Sequence, residues 1–174
     1  MAAALADAGF AAVWTSPLAR ARETAEIVAA ALRLPPPTCH DGLREKHFGA
    51  LQGIPKQELA ELNPALLEQL LRRNPAAEFV GGETMDEFAD RVLGAFDEIG
   101  ARHRGDHVLI VTHGWVMDVV TRHISGLARN AVLHVKRKNG ESVWVEVTRQ
   151  RVLTQIAPQI RPRVQSACCG TAAG

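Results

Sequence analysis

The chain has 174 residues, 47% of them hydrophobic, with 20 basic against 19 acidic side chains and a net charge of +1. That length suits one domain with a proper core rather than two, and so even a charge balance gives no reason to expect nucleic acid or a membrane surface as partner. The three cysteines, Cys39 alone and Cys168 beside Cys169 in a polar stretch, form neither a disulfide framework nor a zinc site, so a reducing cytoplasm is the expected compartment.

The alanine-rich opening, residues 1–14, has no basic start and is interrupted by Asp7 and Gly9, which argues against a signal peptide. No window is long enough to cross a membrane as a helix. Residues 2–8 read as the end of a helix stopped by Gly9, and Ala11 to Thr15 as a short strand. Ser16-Pro17 then predicts a helix start, with serine as N-cap and proline in the first turn, continuing until Pro35-Pro36-Pro37. Arg20 sits near that start, where an arginine can reach over the carboxyl edge of a sheet; the plainer reading is a solvated surface arginine.

Leu43 to Gly53 has neither helical nor strand periodicity and is expected to be an ordered loop, in which Glu45 is the only carboxylate. Taken alone, Glu45 is an exposed ion-pair partner for Arg44 or Lys46. From Pro55 to Arg73 two short amphipathic helices are expected, the second entered at Asn63-Pro64, making a helical cap over about 55–80. Thr84-Met85-Asp86-Glu87 matches a capping box, and Phe88, Val92, Phe96 and Ile99 mark one buried stripe of a long helix.

Val108 to Val111 is an unbroken apolar run, expected to be a strand buried on both faces, and Thr112-His113-Gly114 breaks it before Val116, Val119, Val120 and Ile124 recur at helical spacing. His113 therefore stands on a strand-to-helix turn, beside free N–H groups at the positive end of a helix dipole, a setting that suits phosphate. A histidine there can equally just satisfy a backbone carbonyl. Val132 to Val135 and Val143 to Val147 flank Asn139-Gly140 as an expected hairpin, with Lys136-Arg137 at its solvated end. The expected domain spans 1–149, with 150–174 a weakly ordered tail without function.

Four stretches together resemble the histidine phosphatase superfamily, also called the phosphoglycerate mutase-like family. They are Thr15-Ser16-Pro17-Leu18-x-Arg20-Ala21-x-x-Thr24-Ala25, Leu43-Arg44-Glu45-x-His47-Phe48-Gly49-x-Leu51-x-Gly53, Gly81-Gly82-Glu83-Thr84 and Val111-Thr112-His113-Gly114. The resemblance covers roughly residues 5–148 and implies a three-layer α/β/α fold with a phosphoglycerate mutase-like sheet. It also implies that Arg20, with Ser16 and Gly114, binds the phosphoryl group, and that His113 binds it from the other side and stabilises transition-state charge. Glu45 would protonate the leaving oxygen and then activate water. Neither metal nor cofactor is implied, and the partner is a small phosphorylated substrate.

The family's nucleophile is a different histidine, in an Arg-His-Gly motif ending its first strand, which becomes a phosphohistidine. None of the seven histidines here has that context. The expectation is a sheet lacking its first strand and a chain begun at a misplaced gene start, hence truncated and inactive by itself. An exposed strand edge promotes association, so a homodimer is also expected. The full protein is expected to be a phosphomonoester hydrolase acting through phosphohistidine. Alternatives are phosphoglycerate mutase-type transfer, a short form that binds phosphorylated ligands without catalysis, and a purely structural role for the motif residues; the compact cap favours the phosphatase branch over the mutases.

Overall fold

A computed structural model of the chain describes residues 5–133, 135, 137–148 and 153–156. Three parallel strands form its main sheet: β1 (Phe10–Thr15), β2 (Thr38–Cys39) and β3 (His107–Val111), in the order β2-β1-β3. Trp14 lies opposite Ile110 and Thr15 opposite Val111, so the two turns that follow β1 and β3 open on the same edge. Strand alternation then sorts the apolar side chains onto two faces. Helix α1 (Ala19–Leu32) packs Ala25 and Ala29 on the face of Val13, Leu109 and Val111. On the other face, Trp14, Val108 and Ile110 meet the long helix α4 (Met85–Arg102) and helix α5 (Gly114–Ile124). The result is the three-layer α/β/α arrangement the sequence leads one to expect.

In chain order between β2 and α4, the cap consists of α2 (Lys56–Leu62) and α3 (Pro64–Leu71). Asn63 caps α3 by accepting a 3.0 Å hydrogen bond from the Leu66 N–H, with Pro64 in the first turn. Asn63→Ala should therefore cost about 1 kcal/mol in chemical denaturation, with the loss confined to a cap substitution of this kind. Thr84 forms the expected capping box with Glu87 at the start of α4. The loop at 43–53 is more structured than its lack of periodicity suggests, since it holds two 3-10 turns, Asp41–Leu43 at its entry and Gly49–Leu51 within it.

Five expectations are corrected. Ser16 does not cap α1: the N-cap is Leu18, and the serine hydroxyl is turned toward His113 instead. Val132 to Val135 forms no strand among the described residues; β4 (Val145–Val147) pairs antiparallel with β5 (Leu153–Gln155), leaving Asn139-Gly140 as an isolated turn. Arg137 is not solvated, because its guanidinium is drawn inward by Asp118 and Glu141. Strand β5 also lies inside the stretch expected to be weakly ordered, and its Leu153 joins the core. The rest of that stretch, 150–152 and 157–174, lies outside the described residues, as do residues 1–4, His134, Lys136 and Arg149.

β3 is only half-buried along its whole length, not enclosed on both faces as its apolar run suggests. Its inner edge pairs with β1, and among the described residues no strand pairs with its outer edge. A cavity of about 1400 Å³ runs beside it, lined by all of β3 and by residues 143–148. Trp144 leans across the start of the two strands, stacking on Phe10 at 5.8 Å and meeting the His107 ring edge-on.

Candidate active site

The turn after β1 and the turn after β3 meet directly. The Ser16 N–H donates to the Val111 carbonyl over 3.1 Å, and the Ser16 hydroxyl and His113 Nε2 share a 2.8 Å hydrogen bond between two buried side chains. The same hydroxyl oxygen accepts from the Leu18 N–H at 3.3 Å. Burial, reinforced by the Arg20 cation, pushes the His113 imidazole down to about 4, so at neutral pH it is uncharged. Arg20 lies in the first turn of α1 with its side chain exposed, and its carbonyl accepts the Thr24 hydroxyl at 2.8 Å.

Glu45 reaches this edge from its loop. The loop is fastened to β3 by Thr112, whose hydroxyl donates to the Leu43 carbonyl over 2.8 Å. A second anchor is Glu83, which forms a paired contact with Arg91 (Nε to Oε1 at 2.7 Å, Nη2 to Oε2 at 2.8 Å) and accepts the His47 N–H at 2.9 Å. Arg91 Nη1 in turn donates to the carbonyls of Asp41, Gly42 and Arg44, so one guanidinium holds the loop to α4. Glu45 is not the exposed ion-pair partner that its neighbours suggested. Burial raises its carboxyl to about 7 against the opposing pull of the Lys46 N–H, Arg73, Arg20 and the Trp115 N–H. A carboxylic acid titrating near neutrality can give up a proton and take it back, which is what acid-then-base chemistry requires.

Arg20, Glu45, His113 and Gly114 all line the same cavity, and Ser16 is hydrogen-bonded to His113. Among the described residues no cluster of side chains could hold a metal ion, and no helix is long and apolar enough to cross a membrane.

Two participants carry no mark in the sequence. Lys46, beside Glu45, is only 2% exposed; its ammonium donates to the Glu83 carbonyl at 2.6 Å and lies over the rings of Phe79 and Trp115. Arg73, just past α3, lines the cavity and is paired with the buried Asp118 at 3.2 Å. Only the turn residues that follow, Asn74-Pro75, hint that the chain changes direction there.

The profile of the histidine phosphatase superfamily (branch 1) matches residues 1–156. The chain belongs to that superfamily. Among its relatives, the metal-independent phosphoserine phosphatase of Arabidopsis thaliana is 35% identical over 115 residues, 66% of this chain and 48% of that protein. Phosphoglycerate mutase-like protein 4 of the same plant is 37% identical over 107 residues, covering 60% and 46%. The chain thus spans about half the length of the curated relatives it matches. In structure it is similar to Bacillus stearothermophilus YhfR, with a TM-score of 0.74 and 28% identity over 88% of this chain and 76% of that one. It also shares its fold with the α-ribazole phosphatase of Shigella flexneri, at a TM-score of 0.71 and 22% identity over 90% and 77% of the two chains.

Proposed function

We propose that the full protein to which this domain belongs hydrolyses phosphomonoesters by the histidine phosphatase route, through a phosphohistidine whose nucleophilic histidine is not among the residues of this chain. Arg20 and His113 bind the phosphoryl oxygens, with Ser16 setting the imidazole and the Gly114 end of α5 contributing its N–H dipole. As the nitrogen–phosphorus bond forms and the ester P–O bond breaks, Glu45 delivers its proton to the leaving oxygen. The Glu45 carboxylate then takes a proton from water as the water oxygen attacks phosphorus and the nitrogen–phosphorus bond breaks, which returns both groups to their starting state.

The observation that carries this reading is a guanidinium, an uncharged imidazole and a near-neutral carboxylic acid in the lining of one cavity, with the guanidinium acting electrostatically on both of the others. The phosphatase names among its relatives support the same activity. Inorganic phosphate titration tests it. Arg20→Ala and His113→Ala should each weaken phosphate binding about tenfold or more, the worth of a charge-assisted contact. Unchanged affinity in both variants would mean that the motif residues merely cap helices and fill the core.

The absence of Arg-His-Gly among these residues favours a second reading, phosphate binding without catalysis. Grafting an apolar strand ending in Arg-His-Gly onto the amino end distinguishes the two. Under the first reading, hydrolysis of p-nitrophenyl phosphate appears only in the grafted protein; under the second, the graft still gives no turnover.

A further inference from the structure

Three of the four stretches that mark the family place a residue in the cavity lining; Gly81-Gly82-Glu83-Thr84 places none. What it holds instead are the two residues that follow Glu45. The Glu83 N–H donates to the His47 carbonyl at 3.0 Å, the Glu83 carbonyl accepts the Lys46 ammonium at 2.6 Å, and the Glu83 carboxylate accepts the His47 N–H at 2.9 Å. Gly82 makes this approach possible, since a Cβ there would stand 2.7 Å from the His47 carbonyl oxygen.

The same carboxylate is fixed to α4. Arg91 meets it as a fork, Nε to Oε1 at 2.7 Å and Nη2 to Oε2 at 2.8 Å, and the guanidinium lies 5.1 Å over the ring of the fully buried Phe88. Its remaining nitrogen, Nη1, donates to the carbonyls of Asp41, Gly42 and Arg44, which precede Glu45 in the chain. The residues before Glu45 are thus tied to the arginine and those after it to the glutamate, and the two ties meet in one ion pair seated on the core. Burial pushes the Glu83 carboxyl up, but the Arg91 fork and the His47 N–H outweigh it and hold the group below the usual carboxylate range. Glu83 therefore stays charged where Glu45 titrates.

We propose that Glu83 and Arg91 are positioning residues for Glu45: their ion pair fixes the loop backbone on both sides of it and so keeps its carboxyl at the cavity. The chemistry assigned to Glu45 rests on the proposed function; its placement does not. A reacting group carried on a loop acts only if its support holds it to within about 0.5 Å, and a fork between two ionised side chains supplies that stiffness. An amide cannot replace the carboxylate, because it offers one oxygen and turns an amino group toward a guanidinium N–H.

Carboxyl-carbon NMR of the 174-residue chain tests this, the Glu45 signal being the one lost in Glu45→Gln. In the parent that signal should titrate at about 7. A loosened loop returns the carboxyl to water, so its midpoint should fall by about one pH unit or more toward the ordinary value. Glu83→Gln and Arg91→Gln separate this from a plain charge effect. Removing a neighbouring anion lowers a carboxyl's midpoint and removing a neighbouring cation raises it, so charge alone predicts opposite shifts, whereas lost positioning predicts a fall in both. Arg91→Lys keeps the charge, loses the fork and should show part of the fall; it decides alone if the glutamine variants fail to fold.

Opposite shifts in the two glutamine variants would overturn the proposal. So would a midpoint that stays at the parent value in the variants while their stability drops, which is the behaviour of a merely structural ion pair. A parent midpoint near 4.5 would overturn it too, because Glu45 would then have no buried place to lose. Inorganic phosphate titration is independent of all this: a parent that binds no phosphate overturns the proposed function, and the midpoints still decide this inference.

Discussion

Gly49→Ala should destabilise the protein by at least about 3 kcal/mol. Gly49 has φ +55°, and a Cβ there would lie 2.0 Å from the Val80 carbonyl oxygen and 2.4 Å from the Gly82 nitrogen. Both obstacles are backbone, so no side chain can swing aside. The contact is reciprocal, since a Cβ on Gly82 would come within 2.7 Å of the His47 carbonyl oxygen. Two glycine-bearing loops therefore press main chain against main chain, and the one carrying Glu45 is shaped by the other. Gly53→Ala provides the comparison: its φ is +87°, but nothing lies within 4 Å, so only the backbone strain of about 1 kcal/mol applies. Equal losses in the two alanine variants, measured by denaturant unfolding, would show that the loop contact contributes nothing.

Glu45→Gln should make the protein more stable than the parent at alkaline pH, by roughly 3 kcal/mol, and no more stable below pH 4.5. The sign follows from the carboxyl, whose pKa rises from 4.5 to about 7 on folding. Below 4.5 it is protonated in both states. Between 4.5 and about 7 the unfolded chain releases the proton while the folded one keeps it, so the parent loses stability as pH rises through that window. Glutamine has no proton to release. His113 works in the opposite sense, because its pKa falls from 6.5 to about 4 on folding. Its contribution is fully present above 6.5 and disappears as pH falls toward 4. The two nearly mirror each other, so the parent curve hides both, and the difference between Glu45→Gln and parent isolates one. A difference that stays constant from pH 4.5 to 8 would mean that Glu45 is not desolvated.

The parts of the structure that were legible in the sequence are those fixed by local chemistry. The apolar run ending at Val111 and the helical spacing after Gly114 placed His113 on its turn, and Asn63-Pro64 and Thr84 through Glu87 placed two helix starts. Each needs only neighbours within a turn or two. The residues that escaped depend on partners far along the chain. Ser16 looks like a cap until His113, 97 positions away, claims its hydroxyl. Lys46 looks solvated until Glu83, Phe79 and Trp115 enclose it, and Arg137 until Asp118 and Glu141 do. The Asn139-Gly140 turn has the right residues, but β4 finds a better antiparallel partner in β5, where Leu153 can be buried. Spacing alone could not have placed Arg73 at the cavity, since its position is set by a bend in the cap and by the bare surface of Gly114.

The enclosure of Lys46 gives the loop beside it a chemical clock. An amine shut between two aromatic rings, bonded to a carbonyl and depressed in basicity mainly by burial, cannot meet an acylating reagent while the loop stays closed. Its rate of acetylation, set against that of the exposed Lys56, therefore counts how often this segment breathes open.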